Sequence, residues 1–358
     1  MLFGWVRSAR TTVLDKTKGV PVALDIHAHA IPEALIGELQ REVPSAAPQL
    51  SRDGEGWTFV YPGGRRSGPV PPGMFDLGAR LADMDRLGVA AQALSVPPTH
   101  FAYRLDPDAA AAALRLHNDA LVATARESPD RFVVLGALPM QDPDLALSEL
   151  ARLCVLPEVV GIEIGTNIAG TSLDDPAIGP VWAALERSGL AVVLHPDDVA
   201  GADRMRSHFL HNLVGNPMDT TLAAGSLMFG GVLDRHPDLR VCLLHGGGFL
   251  PYQIGRFTHG WLVRPEPRQK TAVSPRDALR RFHFDSLTHD AAALKYLVEL
   301  VGADRVCLGS DYPFDMADPD PVAGVQAALQ EADVDAVLGN TPSALMRRRL
   351  PPAEPADA

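Results

Sequence analysis

The feature that most restricts how this chain folds is a repeat of short, continuous apolar runs separated by helical sequence. The runs are Val22 to His29, Val89 to Val96, Phe132 to Leu138, Val159 to Ile164, Ala191 to His195, Arg240 to His245, Phe282 to Leu287 and Arg305 to Asp311. They are apolar at successive positions rather than alternating, so each is expected to be a strand buried on both faces. Helical stretches stand between them: Phe75 to Leu87, Pro107 to Ser128, Asp144 to Leu153, Ile178 to Ser188, Met218 to Arg235 and Ala291 to Val301. Eight such units define a (β/α)8 barrel. The rival is an open doubly wound sheet, but no Gly-x-Gly-x-x-Gly or phosphate-loop motif follows any strand.

What lies outside that rhythm sets the domain plan. A short helix is expected from Glu33 to Glu42, and residues 44–73 then turn rich in proline and glycine around one β-like run, Trp57 to Tyr61. Such a stretch is too long for a barrel loop and too poor in helix formers for a crossover helix, so it reads as an inserted β segment after the first strand. Residues 1–20 read as an N-terminal lead-in, 21–350 as a single barrel domain closed by a helix from Pro342 to Leu350, and 351–358 as a disordered tail. A net charge of −12 argues against nucleic acid or an anionic membrane as partner. No apolar run reaches the ~18–20 residues that span a bilayer. Cys154, Cys242 and Cys307 each lie in an apolar run, without a Cys-x-x-Cys pair. They read as core residues of a cytoplasmic protein.

In a barrel the C-terminal ends of all strands meet at one mouth, where active sites sit. His27 and His29 end the first run and are two residues apart, so both side chains face one way. His195 ends the fifth run, His245 the sixth and Asp311 the eighth, each followed by residues that turn the chain: Pro196, Gly246 to Gly248 and Pro313. Imidazoles and a carboxylate converging around an open position suit a metal of the zinc type. Five candidates exceed what a tetrahedral site with one open position needs. His245, in the glycine run, is therefore expected to be the proton carrier, with Asp311 both ligand and proton acceptor. The four lysines, Lys16, Lys18, Lys270 and Lys295, end no strand, so no carboxylated lysine bridges a second metal and one ion is expected. His100, His117, His236, His259, His283 and His289 read as structural, whereas His208 and His211, in the loop after the fifth strand, could face substrate. Glu163 reads as a buried carboxylate in a hydrogen-bond network, or else as a site residue to which no role can be assigned. Arg65, Arg66, Arg256 and Arg264 read either as grips for substrate carboxylates or as solubilising surface charge.

Asp25-Ile26-His27-Ala28-His29, Leu194-His195-Pro196, His245-Gly246-Gly247-Gly248 and Gly309-Ser310-Asp311-Tyr312-Pro313-Phe314 together resemble the motif set of the amidohydrolase superfamily. The likeness is to its metal-dependent decarboxylases of the aminocarboxymuconate-semialdehyde type and runs from about residue 22 to about 347. It includes Arg80 to Asp85 and the tract from Asn216 to Trp261. The resemblance implies one zinc, or manganese, held by His27, His29, His195 and Asp311, with His245 beside it. It also implies a homodimer in which Arg66 (or Arg65) from the insertion and Arg256 from the partner chain hold a small-molecule carboxylate. Asp197 stands where that branch carries an aromatic residue, so the substrate lining differs. The expected activity is non-oxidative decarboxylation of an unsaturated or aromatic carboxylic acid, of the muconate-semialdehyde or hydroxybenzoate kind. Alternatives on the same scaffold are hydrolysis of a lactone or amide, addition of water, and, least favoured, a silent scaffold.

Overall fold

Helix boundaries in this protein follow from capping chemistry. The computed structural model describes residues 22–53, 56–61, 64 and 66–347; the lead-in and tail expected at the two ends lie outside the described residues. Asp106, Asp142 and Ser274 accept backbone N–H groups at helix starts, each followed by proline at the first helical position. There the ring's fixed φ fits and its missing N–H is not needed. Gly88 and Gly189 end the Leu77–Leu87 and Gly179–Ser188 helices in the left-handed conformation (φ 69° and 66°).

The strands are β1 (Leu24–His29), β2 (Gln49–Asp53), β3 (Gly56–Val60), β4 (Arg66–Val70), β5 (Ala91–Ser95), β6 (Phe132–Ala137), β7 (Val159–Gly165), β8 (Ala191–His195), β9 (Val241–Leu243), β10 (Phe282–Asp285) and β11 (Val306–Cys307). Eight of them form one parallel sheet in the order β1-β5-β6-β7-β8-β9-β10-β11. The sheet closes on itself: Ile26 N donates to Leu308 O (2.9 Å), Asp311 N to His27 O (2.8 Å) and His29 N to Tyr312 O (2.7 Å). The fold is the (β/α)8 barrel that the apolar repeat predicts.

The barrel interior is filled by small and branched side chains, among them Leu24, Ile26, Ala93, Leu135, Val193, Leu244 and Cys307, and Leu345 and Met346 pack against its floor. The outer faces carry the bulk, including Phe132, Phe282, Phe284 and Trp182. Each large side chain there contributes roughly 1.5–3 kcal/mol through burial. The insertion is an antiparallel sheet in the order β2-β3-β4, with Phe59 buried against Phe75.

Several boundaries differ from the sequence expectation. Met218 to Arg235 is two helices, Asn216–Phe229 and Val232–Arg235, broken at Gly230 and Gly231, where Gly231 has φ 69°. The closing helix is Thr341–Leu345, reached through a wide turn of helix over Ala336–Asn340. Cys242 and Cys307 are core residues as expected, but Cys154 is exposed, because it caps the Pro143–Leu153 helix instead of continuing an apolar face.

Candidate metal centre

The site begins with an irregularity in β1. Leu24 and Ile26 point into the barrel, and plain alternation would turn His27 outward. Pairing with β5 slips between Asp25 and Ala28, and this bulge-like break re-aims the chain so that His27 and His29 face the mouth. His195 ends β8. Asp311 and His245 lie past the ends of β11 and β9, both at positive φ (63° and 55°), a conformation costly for residues with a Cβ.

Four of these side chains converge. One ligand atom from each of His27, His29, His195 and Asp311 lies within 4.8 Å of all the others, and all four residues are buried. Each histidine commits Nδ1 elsewhere: His27 donates to Asp285 Oδ2 (2.8 Å), His29 to Val96 O (3.0 Å) and His195 to Pro196 O (2.7 Å). That leaves every Nε2 turned inward. These three nitrogens and Asp311 Oδ1 are buried without a hydrogen-bond partner. His27 Nε2 and His29 Nε2 each lie 3.2 Å from Asp311 Oδ1, but not in hydrogen-bond geometry. Orphaned polar atoms aimed at one point fit a divalent ion, since burial without a partner is otherwise costly.

The electrostatics agree. Burial and the surrounding imidazoles hold His195 well below its usual pKa, and burial lowers that of His29. For His27, burial opposes the charge, but Asp311 and Asp285 outweigh it and push the pKa up to about 10. Burial would raise Asp311, yet His27 foremost, with His245 and His29, holds it well below the carboxylate range. Asp311 is thus held ionised, as a metal ligand must be, with the charge on His27 opposite it in the place a cation would take.

His245 sits against this cluster without joining it. Its ring centroid is 5.2 Å from that of His27 and 5.1 Å from that of His195, and Nε2 is 3.9 Å from Asp311 Oδ2. Its turn depends on glycine: a Cβ on Gly248 would lie 2.1 Å from Pro217 O.

Several residues that hold the site are not among those expected from sequence. Asp285, at the end of β10, accepts from His27 and also from Gly246 N (2.7 Å). Asp25 accepts from Ser310 Oγ (2.6 Å), Ser310 N (3.1 Å), Gln92 Nε2 (3.1 Å) and His27 N (3.0 Å). Arg80, fully buried, donates to His29 O, Gln92 Oε1 and Gly73 O. A carboxylate at the C-terminal end of the seventh barrel strand was the one available signal for Asp285.

Other expected residues fall as follows. Glu163 is buried, but neither carboxyl oxygen has a hydrogen-bond partner; the network expected around it is not formed. Burial pushes its pKa up to about 8. His100 and His117 are bonded to each other at 3.0 Å, and His100 to Tyr61, a structural role. His211 borders a cavity beside the site, and His208 is exposed. Arg264 pairs with Glu266. Arg66 is exposed at the start of β4, Arg65 lies outside the described residues, and Arg256 is exposed on the Leu250–Val263 helix. The structure does not bring either arginine into the cluster of this chain.

Fold and site together define a metal-dependent barrel enzyme. The chain belongs to the amidohydrolase family, whose profile matches residues 24–348. It is 41% identical to the 2-amino-3-carboxymuconate-6-semialdehyde decarboxylase of Dictyostelium discoideum over 68% of each chain. It is 30% identical to the Caenorhabditis elegans protein of the same name, over 82% of this chain and 86% of that one. The solved 2,6-dihydroxybenzoate decarboxylase from Rhizobium superposes with a TM-score of 0.72 at 26% identity, covering 92% of this chain and 99% of the other. The activity class is that of this branch, a metal-dependent carboxy-lyase.

Proposed function

We propose that the protein releases CO2 from an unsaturated or aromatic carboxylic acid, using one zinc ion (manganese being the alternative) held by His27, His29, His195 and Asp311. The observation that carries this is the convergence of three imidazole Nε2 atoms without hydrogen-bond partners and Asp311 Oδ1 on one buried point, with His245 beside it and outside it. A divalent ion there supplies Lewis-acid polarisation of the bound acid.

The chain's own groups do the rest. His245 donates a proton to the carbon from which CO2 departs: the C–C bond breaks, its electron pair stays on that carbon, and the proton takes the vacated position. Asp311 Oδ2 faces His245 Nε2 and orients it. His245 then recovers a proton from solvent, to which it is partly open.

The substrate carboxylates are gripped by Arg66 and by Arg256 of a second copy in a homodimer. Support comes from the surroundings of Arg256. Tyr252, one turn earlier, is 82% exposed, and Leu262 and Val263 of the same helix, with Phe249 just before it, are also exposed large apolar groups, of the kind that marks an interface. Among the described residues no helix is long and apolar enough to cross a membrane, and the free thiols are consistent with a cytoplasmic setting.

The test is CO2 release across ring-cleavage products and hydroxybenzoates, with metal analysis of two variants. About one equivalent of metal per chain is expected. His195→Ala should lose the metal, and His245→Ala should keep it while losing about 10²–10⁴ in rate. Two equivalents of metal, hydrolysis without CO2, or loss of metal in both variants contradicts the assignment.

A further inference from the structure

The floor of the barrel, at the end opposite the metal site, carries a second cluster of polar groups. Cys242 on β9 and Cys307 on β11 face the barrel interior. Side chains alternate along a strand, so Arg240 and Arg305, each two residues earlier, turn the same way beneath them. His283 is paired with Cys242 across β9 and β10 and shares that face. Three neighbouring strands thus bring two guanidinium groups and an imidazole to one underside. A third guanidinium, that of Arg347 just past the closing helix, stands close enough to repel Arg240.

These groups are short of acceptors. Arg240 spends Nη1 on the carbonyls of Ala344 and Leu345. Its Nε and Nη2 are buried without a partner among the described residues, as are His283 Nδ1 and Arg305 Nε. His283 is only 9% exposed, so bulk water does not replace the missing bond. Asp304 approaches Arg305 Nε to 3.5 Å without a hydrogen bond, but it is exposed and already bonded to Arg280. Burial and then Arg347 push the Arg240 pKa down to about 10. Burial, then Arg305 and Arg240, push His283 down to about 4. The cations therefore repel one another, and the imidazole is held neutral. Buried donors left unpaired are costly, charged ones most of all. Nε and Nη2 form one edge of the Arg240 guanidinium, a fork that matches two oxygens of a carboxylate or phosphate. Donors from two further strands ask for oxygens out of that plane, which a tetrahedral oxyanion has and a planar carboxylate lacks. A lone water brings no charge to set against the guanidinium groups.

We infer that the barrel floor is a binding site for a dianionic tetrahedral oxyanion, as free phosphate or sulfate or as the terminal group of a phosphate ester, held by Arg240, Arg305 and His283. The anion fastens β9, β10 and β11 to one another. Those strands lead at their opposite ends to His245, Asp285 and Asp311, so its occupancy acts on the stability of the frame that carries the metal site.

Calorimetric titration of the metal-loaded enzyme with sulfate, inorganic phosphate and glycerol phosphate tests it, in chloride buffer at constant ionic strength and slightly alkaline pH. The wild type should bind sulfate saturably and melt at a higher temperature in sulfate than in chloride. Arg240→Met and Arg305→Gln should each weaken binding about tenfold or more, the worth of one hydrogen bond to a charged group. Both should lose most of the melting shift while keeping the metal content of the wild type. Tighter binding of glycerol phosphate than of phosphate identifies an ester as the occupant, and the reverse order the free ion. Anomalous scattering from wild-type crystals soaked in selenate places the anion whether or not the variants fold, and a peak against Arg240 and Arg305 supports the assignment. Absence of sulfate and phosphate binding, binding that survives both variants, or selenate found only at the metal cluster or on exposed side chains overturns it.

Discussion

Asp285 is where the cluster and His245, the proposed proton carrier, are tied to one side chain, so Asp285→Asn is the most informative single change. The carboxylate is fully buried and accepts the His27 Nδ1–H at 2.8 Å with one oxygen and the Gly246 N–H at 2.7 Å with the other. Asparagine fits the same space but offers one acceptor. If its oxygen stays with His27, its NH2 is forced against the Gly246 N–H, and the turn carrying His245 must shift. If its oxygen turns to Gly246, the NH2 faces His27 Nδ1 and demands the tautomer whose Nε2 carries the proton, which cannot bind metal. A hydrogen bond to a charged group contributes about 1.5–3 kcal/mol, which is about 10–100-fold, the range found for outer-sphere partners of metal ligands. Chelator competition at fixed pH should show that loss in metal affinity. At saturating metal, kcat should still be down roughly tenfold to a hundredfold, because His245 is displaced. Metal affinity within about threefold of wild type, with kcat unchanged, would refute the argument that Asp285 fixes the His27 tautomer and the His245 turn.

The remaining predictions concern protons and assembly. Because His27 holds a proton up to about pH 10 in the metal-free cluster, metal must displace it throughout the neutral range. Apparent affinity should rise about tenfold per pH unit between about pH 6 and 8, and a flat chelator-competition profile contradicts that. Glu163 has a folded pKa near 8 against 4.5 when unfolded, so the folded state holds a proton that the unfolded state releases between those values. Its contribution is fully present below the unfolded value and is lost as pH rises through 8. Metal-free Glu163→Gln should therefore gain Tm relative to wild type as pH climbs from about 5 to 8; parallel melting curves exclude a buried neutral Glu163. Arg256→Ala should fold normally and be nearly inactive, and mixing it with His245→Ala should restore activity, since one site of each mixed dimer has both residues. Confirmed subunit exchange without recovered activity places Arg256 outside the partner's site.

The barrel was legible because burial on both faces leaves an uninterrupted apolar mark at every strand. The inserted sheet was legible only in its centre: β3 carries Trp57 and Phe59, whereas β2 and β4, Gln49–Asp53 and Arg66–Val70, are edge strands poor in apolar residues. Residues of the cluster could be read because each closes an apolar run at the same end of the barrel. Their partners could not, since nothing in Phe282-His283-Phe284-Asp285 says that this carboxylate lies across the mouth from His27. Arg80 was visible only as part of a motif. Its role, donating to the carbonyl of His29, depends on how the Leu77–Leu87 helix packs on the barrel.

Local sequence also hides the fact that His245 and Asp311 stand beyond the regular strands, in a backbone conformation that costs of order 1–3 kcal/mol each. Such strain persists only where surrounding bonds over-determine it. For Asp311, the preceding Ser310 is pinned through both its N–H and its hydroxyl to Asp25, and Asp311 N is held by His27 O. For His245, the following Gly246 is pinned to Asp285, and His245 O accepts from Gly248 N at 3.0 Å. Two buried carboxylates, Asp25 and Asp285, therefore hold the two strained residues to which the proposed proton transfer is assigned. Each of the two also bonds to His27, through its backbone N–H or its ring. Displacing His27 should thus disturb both strained turns at once, which makes it the keystone of the site rather than one ligand among four.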